Sequence, residues 1–256
     1  MTDSPLQGVS VLVTRPRAQA RDLIDTIERK GGTAICLPVI EIVPRDSATI
    51  GSDAAKLPPA DIAIFVSTNA VANGISHADG GLIAAIGPAT AAAIAATGRT
   101  ADITPSGGHD SESLLREPAL QNVGGKHIRI IRGNDGRELL AETLRERGAI
   151  VSYLTVYERV MPKISDQSLL EIEKACLAGE ISAITMMSIQ TLNNLLAAVP
   201  ESLADELMKV PLVTPAARVI KEALDRFPAS RPILASGTQA DDMVDAIIAV
   251  TGPTPD

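Results

Sequence analysis

Short runs of β-branched and other apolar residues alternate along the chain with longer segments whose apolar positions recur at helical spacing. The first pair consists of the run VLV at 11–13 and a following segment with Ala20, Leu23, Ile24 and Ile27 on one face. Runs of the first kind are typical of buried strands, and periodicity of the second kind is typical of amphipathic helices. Strands that alternate with helices predict an α/β fold with parallel sheets.

The pattern is duplicated within the chain. Residues 11–44 align with residues 128–162, so that Arg15 falls on Arg132 and Gly31 falls on Gly148. Three shorter segments align in the same way: 61–75 with 181–196, 84–94 with 211–220, and 105–115 with 234–244. Each long segment predicts a β-α-β unit, and each short one predicts a strand that enters a small polar turn and then a helix.

Two closures of this duplicated chain are compatible with the pattern. The halves could form two sequential domains, or the first β-α-β unit could join the last three units. We favour the second closure, because the polar turns of both domains would then face one cleft. It predicts two similar parallel-sheet domains of Rossmann or flavodoxin type, with a cross-paired chain. One is formed by 1–37 with 164–256 and the other by 44–154, and the two-stranded linker is formed by 38–43 and 155–163.

The composition of the chain limits the classes of molecule that it is expected to bind. The chain has 256 residues and a formal net charge of −8, which argues against a broad nucleic-acid-binding surface. Cys36 and Cys176 have no metal or redox spacing, so we expect buried thiols in a reducing compartment. No signal peptide or membrane-spanning run is evident, and we expect a cytoplasmic protein that binds neither membranes nor nucleic acid.

The stretch IRIIRGNDGR at 128–137 combines a strand, a glycine-rich turn and two arginines, Arg132 and Arg137. Such turns often hold phosphates, but the stretch lacks the full dinucleotide motif and the lysine of a P-loop, which disfavours a nucleotide. Because Arg15 ends the equivalent strand of the other copy, the pair favours a carboxylate clamp. Two alternatives to ligand binding remain: Arg132 could form a surface ion pair, and Arg137 could be a solvated helix residue.

Other candidates lie where strands run into helices. Such turns contain Ser67, Gly87, Thr90 and Ser188. A hydroxyl at these positions can serve simply to cap the helix. The free backbone N–H groups at a helix start can also bind a carboxylate of a ligand. Tyr157 lies on the second crossing strand, and we expect the neighbouring Tyr153 to be the core residue of the two.

We expect Glu41 and Glu158 to be solvated linker residues. Three histidines lack ligand spacing and are expected at the surface or at caps: His77, His109 and His127.

Six motifs in order resemble the uroporphyrinogen-III synthase family over nearly the whole chain. They are VLVTRP with Gln19, LPVIEIVP, IFVSTNAV, AAIGPATAAAI, IRGNDGRELLAETLRERGA and VYERVMP. The resemblance implies two α/β domains joined by a two-stranded ladder. It also implies a cyclising hydro-lyase of tetrapyrrole biosynthesis, which closes hydroxymethylbilane, a linear tetrapyrrole octacarboxylate, with inversion of the last ring and loss of water.

The resemblance also carries expectations for single residues. It implies that Tyr157 is catalytic, with its hydroxyl bonded to the departing hydroxyl group. The expected substrate-binding residues are Arg15, Ser67, Gly87, Thr90, Arg132, Gly133, Ser188 and Thr214. It implies no metal, no organic cofactor and a monomer, and we expect transient contact with the preceding enzyme of the pathway.

Two other functions remain open. A non-catalytic two-domain protein could bind an anionic metabolite through the same cleft, and it would saturate with ligand without turnover. A nucleotide-dependent transferase would bind nucleotide measurably, which the weak phosphate motif disfavours.

Overall fold

The structure, a computed structural model, describes residues 4–78, 80–108, 110–136 and 138–251. Strands and helices alternate along this part of the chain and form two five-stranded sheets. The strands are β1 (Ser10–Val13), β2 (Thr33–Cys36), β3 (Glu41–Pro44), β4 (Ile62–Phe65), β5 (Leu82–Ala85), β6 (His127–Gly133), β7 (Ile150–Val160), β8 (Ala183–Thr185), β9 (Pro211–Thr214) and β10 (Arg231–Leu234). The predicted α/β class is confirmed.

Most helices follow a strand directly. The helices are α1 (Arg17–Arg29), α2 (Ser47–Ala55), α3 (Thr68–Gly74), α4 (Pro88–Ala96), α5 (Ser111–Leu115), α6 (Leu139–Glu146), α7 (Asp166–Leu177), α8 (Ile189–Ala198), α9 (Glu201–Leu207), α10 (Ala217–Arg226) and α11 (Ala240–Thr251). Short 3-10 turns at Ile75–His77 and Pro118–Leu120 complete the described helical structure.

The chain divides into two compact units. The first consists of Met1–Glu41 with Val160–Asp256, and the second of Ile42–Arg159. The first unit contains the sheet β10-β9-β8-β1-β2, in which every pair of neighbours is parallel. The second sheet has the order β3-β7-β6-β4-β5, and its pairs from β7 to β5 are parallel. The first β-α-β unit of the chain therefore shares a sheet with the last three strands.

Each sheet is covered on both faces, as a parallel sheet requires. In the first unit, α1 packs its buried Leu23 and Ile27 against Val244 and Ile247 of α11 on one face, and α7 to α10 supply the core of the other face. In the second unit, α5 and α6 cover one face and α2 to α4 cover the other. The cores consist mainly of aliphatic side chains, so a buried aromatic side chain is an exception within them.

Two local expectations differ from the structure. The strand predicted in the segment 105–115 is wrong, because the described residues of this segment form bends and α5, and the nearest pairing is an isolated bridge between Ile103 and Ala84. Pro105 has no N–H to continue a ladder beyond that bridge. The second difference is that β7 runs unbroken from Ile150 to Val160. The segment predicted as a linker, 155–163, thus begins inside a strand of the second sheet.

Candidate functional site

Several of the predicted site residues lie at the carboxyl edge of the second sheet, where its parallel strands end. Ser67 follows β4 and caps α3, and its Oγ accepts a hydrogen bond of 3.0 Å from the N–H of Ala70. The same Oγ lies 3.2 Å from the hydroxyl oxygen of Tyr157. The predicted capping role of Ser67 is confirmed, and the cap also contacts the predicted catalytic tyrosine.

Tyr157 is enclosed by the second unit's core. Only 2% of its surface is exposed, and its ring lies against Gly133, where a β-carbon would come within 2.6 Å of Cε2 of the tyrosine. The next residue, Asn134, donates its N–H to the carbonyl oxygen of Tyr157 at 3.1 Å. The expectation that Tyr153 is the core tyrosine is wrong, because Tyr153 is only half-buried.

The two tyrosines lie on opposite faces of the sheet because β7 contains an irregularity. Arg132 pairs with Thr155, but Gly133 pairs with Tyr157, so one residue of β7 is left without a partner. Tyr153 consequently packs with the core cluster beside α6, whereas Tyr157 packs with the cluster beside α3 and α4. Such a bulge redirects a side chain, and bulges often occur next to functional sites.

Arg132 has a carboxylate partner within the chain. Its Nη1 donates to Oε1 of Glu138 at 2.8 Å, and its side chain is only 9% exposed. The guanidinium carbon lies 4.8 Å from the centroid of the Tyr153 ring. The hydroxyl of Tyr153 donates to the second carboxylate oxygen, Oε2, of Glu138. Arg132, Glu138 and Tyr153 thus form a connected polar group, in which Tyr153 lies on the face of the sheet that α6 covers.

This polar group shifts two pKa values. The hydrogen bond from Tyr153, and after it the one from Arg132, lowers the pKa of the Glu138 carboxyl. Burial, and after it the bond to Glu138, raises the pKa of the Tyr153 phenol. Sequence reasoning missed Glu138 altogether. The sequence did contain a signal for this ion pair. Glu138 stands at the predicted start of a helix, and only a glycine-rich turn separates it from Arg132 near the end of the preceding strand.

Gly87 and Thr90 lie beyond the end of β5. Gly87 precedes α4 in an extended conformation, and Pro88 occupies the first position of the helix, where its missing N–H has no consequence. The Thr90 side chain is buried within the unit, with 4% exposed. Gly87 and Thr90 are therefore both buried, and Pro88 and Ala89 are the exposed residues of this turn.

Three predicted residues lie at the carboxyl edge of the first sheet: Arg15 after β1, Ser188 after β8 and Thr214 at the end of β9. Ser188 caps α8 by accepting the N–H of Thr191 at 3.2 Å, so its predicted capping role is confirmed. Thr214 is buried, and its hydroxyl accepts the N–H of Ala216 at 3.2 Å. Both hydroxyls thus shape the turns in which they lie.

Arg15 differs from Arg132 in its surroundings. Its Nη2 donates to the carbonyl oxygen of Thr238 at 2.9 Å. Its Nε is buried, and among the described residues this atom has no hydrogen-bond partner. Burial lowers the pKa of the Arg15 guanidinium, and the charge of Asp22 opposes that shift. A buried donor without a partner is costly, which makes Arg15 a candidate for binding an anion.

The remaining residues named in the sequence analysis add little to the candidate site. Glu41 and Glu158 are exposed, as expected, and Cys36 and Cys176 are free and half-buried. His77 and His127 are half-buried, not fully at the surface. Arg137 and His109 lie outside the described residues.

Neither a metal centre nor a membrane span is found in the part of the chain that the structure covers. No group of three or more His, Cys, Asp or Glu side chains there is arranged to hold a metal ion. None of the helices described above is both long and apolar enough to cross a bilayer.

Comparison with known proteins gives one consistent result. The sequence model described as "Uroporphyrinogen-III synthase HemD" matches residues 21–245. The chain is 38% identical over 162 residues to uroporphyrinogen-III synthase of Salmonella typhimurium and 34% identical over 160 residues to that of Escherichia coli. In both cases 59% of this chain is aligned, and it spans 65% of the length of the relative.

Solved structures share the fold. A mutant uroporphyrinogen III synthase from the extremely thermophilic bacterium Thermus thermophilus superposes with a TM-score of 0.63 at 20% identity, over 93% of this chain and 96% of that chain. Uroporphyrinogen-III synthetase from Helicobacter pylori gives a TM-score of 0.62 at 12% identity, over 94% of this chain and 99% of that chain.

Proposed function

This chain belongs to the uroporphyrinogen-III synthase family, and we propose that it converts hydroxymethylbilane into uroporphyrinogen III. The reaction closes the linear tetrapyrrole with inversion of ring D and releases water. The observation that carries the proposal is the contact of 3.2 Å between the hydroxyls of Tyr157 and Ser67 at the carboxyl edge of the second sheet. It places a buried phenol beside the start of a helix.

The substrate supplies most of its own reactivity. The nitrogen of the hydroxymethylpyrrole pushes electrons toward the carbon that bears the hydroxyl, so that the C–O bond breaks and hydroxide leaves. Ring D attacks the resulting azafulvenium carbon through its substituted α-carbon and forms a spiro intermediate. The older bond between that carbon and the bridge to ring C then breaks, the bridging carbon bonds to the free α-carbon of ring D, and loss of a proton restores the pyrrole in its inverted orientation. Because direct closure to the uninverted isomer needs no enzyme, the protein must stabilise the inverting transition state selectively.

Tyr157 acts on the leaving group in this proposal. Its phenol donates a hydrogen bond, and then a proton, to the departing hydroxide, which becomes water. The proton that the macrocycle loses on closure restores the phenol. The Ser67 hydroxyl accepts the N–H of Ala70 and holds the phenol at the edge of the sheet. Gly133 is required beneath the ring, because any side chain there would displace it. No strong general base is needed for this chemistry.

The other predicted residues bind carboxylates of the substrate. Eight negative charges favour a guanidinium and free backbone N–H groups at helix starts. Arg15 offers a buried Nε without a partner among the described residues, and the turns after four strands offer helix starts. Those turns contain Ser67, Gly87 with Thr90, Ser188 and Thr214. Arg132 already has a carboxylate partner within the chain, because its Nη1 is bonded to Glu138 at 2.8 Å.

The organisation of the protein is part of the proposal. We propose two similar domains that the chain joins by crossing twice, close to 38–43 and 155–163. The division into Met1–Glu41 with Val160–Asp256, and Ile42–Arg159, supports it. We further propose a cytoplasmic monomer without metal or organic cofactor that receives its labile substrate by transient contact with the preceding enzyme.

Product isomers provide the test. Hydroxymethylbilane is added to the purified protein, the products are oxidised to porphyrins, and the isomers are separated by chromatography. We expect isomer III as the main product, formed faster than the uninverted isomer arises in a reaction without protein. Recovery of only the uninverted isomer at the spontaneous rate would contradict the proposal. Saturable binding of the oxidised product without turnover would then favour a non-catalytic binding protein.

A further inference from the structure

The duplication allows two equivalent arginines to be compared. Arg15 lies two residues after β1 and Arg132 is the last residue but one of β6, at matching positions of the repeat. In the same alignment the counterpart of Glu138 is Arg21, which is 86% exposed and lies 4.0 Å from Asp25. The counterpart of Tyr153 is Cys36. The first unit has thus kept the arginine but has neither the carboxylate nor the aromatic ring that surround Arg132.

Arg132 has few free donors to offer a ligand. Its Nη1 is bonded to Glu138, and its guanidinium plane is stacked on Tyr153. A β-carbon at Gly136 would lie 2.7 Å from Nη2, so the backbone covers that side as well. The outer member of the pair is Glu138, with 50% of its side chain exposed compared with 9% for Arg132. An incoming carboxylate would therefore meet a carboxylate first.

The pair instead fixes the segment that contacts Tyr157. Between Arg132 and Glu138 the chain passes through Gly133, which lies beneath the Tyr157 ring, and Asn134. Asn134 donates its N–H to the Tyr157 carbonyl oxygen at 3.1 Å and accepts the N–H of Arg159 through Oδ1 at 2.8 Å. The ion pair closes the other end of this segment. Its loss would loosen Gly133 and Asn134 together.

We propose that Arg132 and Glu138 are positioning residues for Tyr157, and that Arg15 alone of the duplicated arginines binds a carboxylate of the substrate. The proposal rests on the function given above, since it divides the roles of two residues within that site. It predicts that the two arginines affect different quantities. Loss of Arg15 weakens binding, whereas loss of Arg132 or Glu138 slows the chemical step.

Equilibrium binding separates the two roles without turnover. Uroporphyrin III, the oxidised and fluorescent octacarboxylate, is titrated into wild type, Arg15→Met, Arg132→Met and Glu138→Gln. We expect Arg15→Met to raise Kd by about tenfold or more, as loss of a charged hydrogen bond does. Arg132→Met and Glu138→Gln should stay within about twofold of wild type. Arg21→Met, an exposed arginine of the same unit, is the matched control and should not change Kd.

The spectroscopic signal of Tyr157 tests positioning directly. The chain has no Trp and two Tyr, so in a Tyr153→Phe background the near-ultraviolet tyrosine circular dichroism comes from Tyr157 alone. We expect Glu138→Gln in this background to reduce that band at a temperature where the far-ultraviolet spectrum remains native. Arg21→Met in the same background should leave it unchanged. A purely stabilising role of Glu138 would not alter the band of the folded protein.

Kinetics with hydroxymethylbilane complete the test. Glu138→Gln should lower kcat by about tenfold with little change in KM, and the double variant with Arg132→Met should be no slower than the slower single variant. The inference is overturned if Arg132→Met weakens uroporphyrin binding as much as Arg15→Met does, or if Glu138→Gln leaves the Tyr157 band unchanged. A wild type without turnover would contradict the proposed function, while binding and dichroism would still decide the roles of the arginines.

Discussion

The ring of Tyr157 lies directly against the α-carbon of Gly133, so that a β-carbon there would come within 2.6 Å of Cε2 and 2.8 Å of Cζ. The two residues face each other across the irregular register between β6 and β7. Because the tyrosine is buried on its other sides, the ring has no free space into which it could move. The identity of residue 133 thus determines where the phenol lies.

Gly133→Ala should therefore lower activity through the position of Tyr157. We expect kcat to fall by about tenfold or more and the free energy of unfolding to fall by about 1–3 kcal/mol, the usual cost of overpacking. Gly51→Ala is the control, because a β-carbon at Gly51 meets nothing within 4 Å. That variant should keep full activity and gain about 0.5–1 kcal/mol, since alanine is the better helix former. Steady-state kinetics and urea unfolding measure both quantities.

Tyr157→Phe removes the phenol and keeps the ring that packs on Gly133. We expect kcat to fall by about 10²-fold or more, in the range of lost general acid catalysis, whereas KM should change little. The free energy of unfolding should drop by no more than about 1.5 kcal/mol, the worth of one hydrogen bond to Ser67. Full activity of this variant would exclude a chemical role of the hydroxyl.

Three helix-capping serines separate stability from function. Ser67, Ser188 and Ser165 each accept a backbone N–H three residues later, at 3.0, 3.2 and 3.1 Å. Replacement of each by alanine should cost about 1 kcal/mol in the free energy of unfolding. Only Ser67→Ala and Ser188→Ala should also reduce activity, because Ser67 contacts Tyr157 and Ser188 is a proposed substrate-binding residue, whereas Ser165 caps α7 and is not a proposed site residue. Equal activity losses in all three variants would indicate a stability effect.

The lowered pKa of Glu138 predicts how stability depends on pH. A carboxyl whose pKa is lower in the folded than in the unfolded state stabilises the protein above its unfolded pKa of about 4.3. That contribution is lost as the pH falls through the folded pKa. Urea unfolding should accordingly show the largest difference between wild type and Glu138→Gln near neutral pH, and a shrinking difference on acidification. Glu142→Gln, an exposed position on the same helix, is the control and should show a smaller change.

Much of the fold follows from periodicity and duplication. Ser67 and Ser188, paired by the repeat, both cap helices that start after a strand. Arg15 and Arg132 both lie close to the carboxyl end of a strand, as the aligned apolar runs predict. These features are local, because the hydrogen-bonding preferences of a serine at a helix start and the burial of a short apolar run depend on near neighbours.

The features that sequence reasoning missed depend on contacts across strands. Strict alternation would place Tyr153 and Tyr157 on the same face of β7, and a bulge that moves one of them leaves no mark in composition or spacing. The bond between Arg132 and Glu138 likewise depends on how a glycine-rich turn folds back. Among the described residues, Arg15 has no ion pair equivalent to that of Arg132 and Glu138, although the strand pattern around it is the same. The charge partner of a residue in one copy of a repeat therefore does not predict the partner in the other copy.

The position of β1 has a consequence for synthesis of the protein. This strand lies between β2 and β8 in its sheet, yet β8 begins only at Ala183, after all of Ile42–Arg159 has been made. On the ribosome the contiguous second unit can fold as soon as it emerges, whereas Val11, Leu12 and Val13 still lack one of their two partner strands. One edge of this apolar strand therefore stays unpaired until β8 has been synthesised.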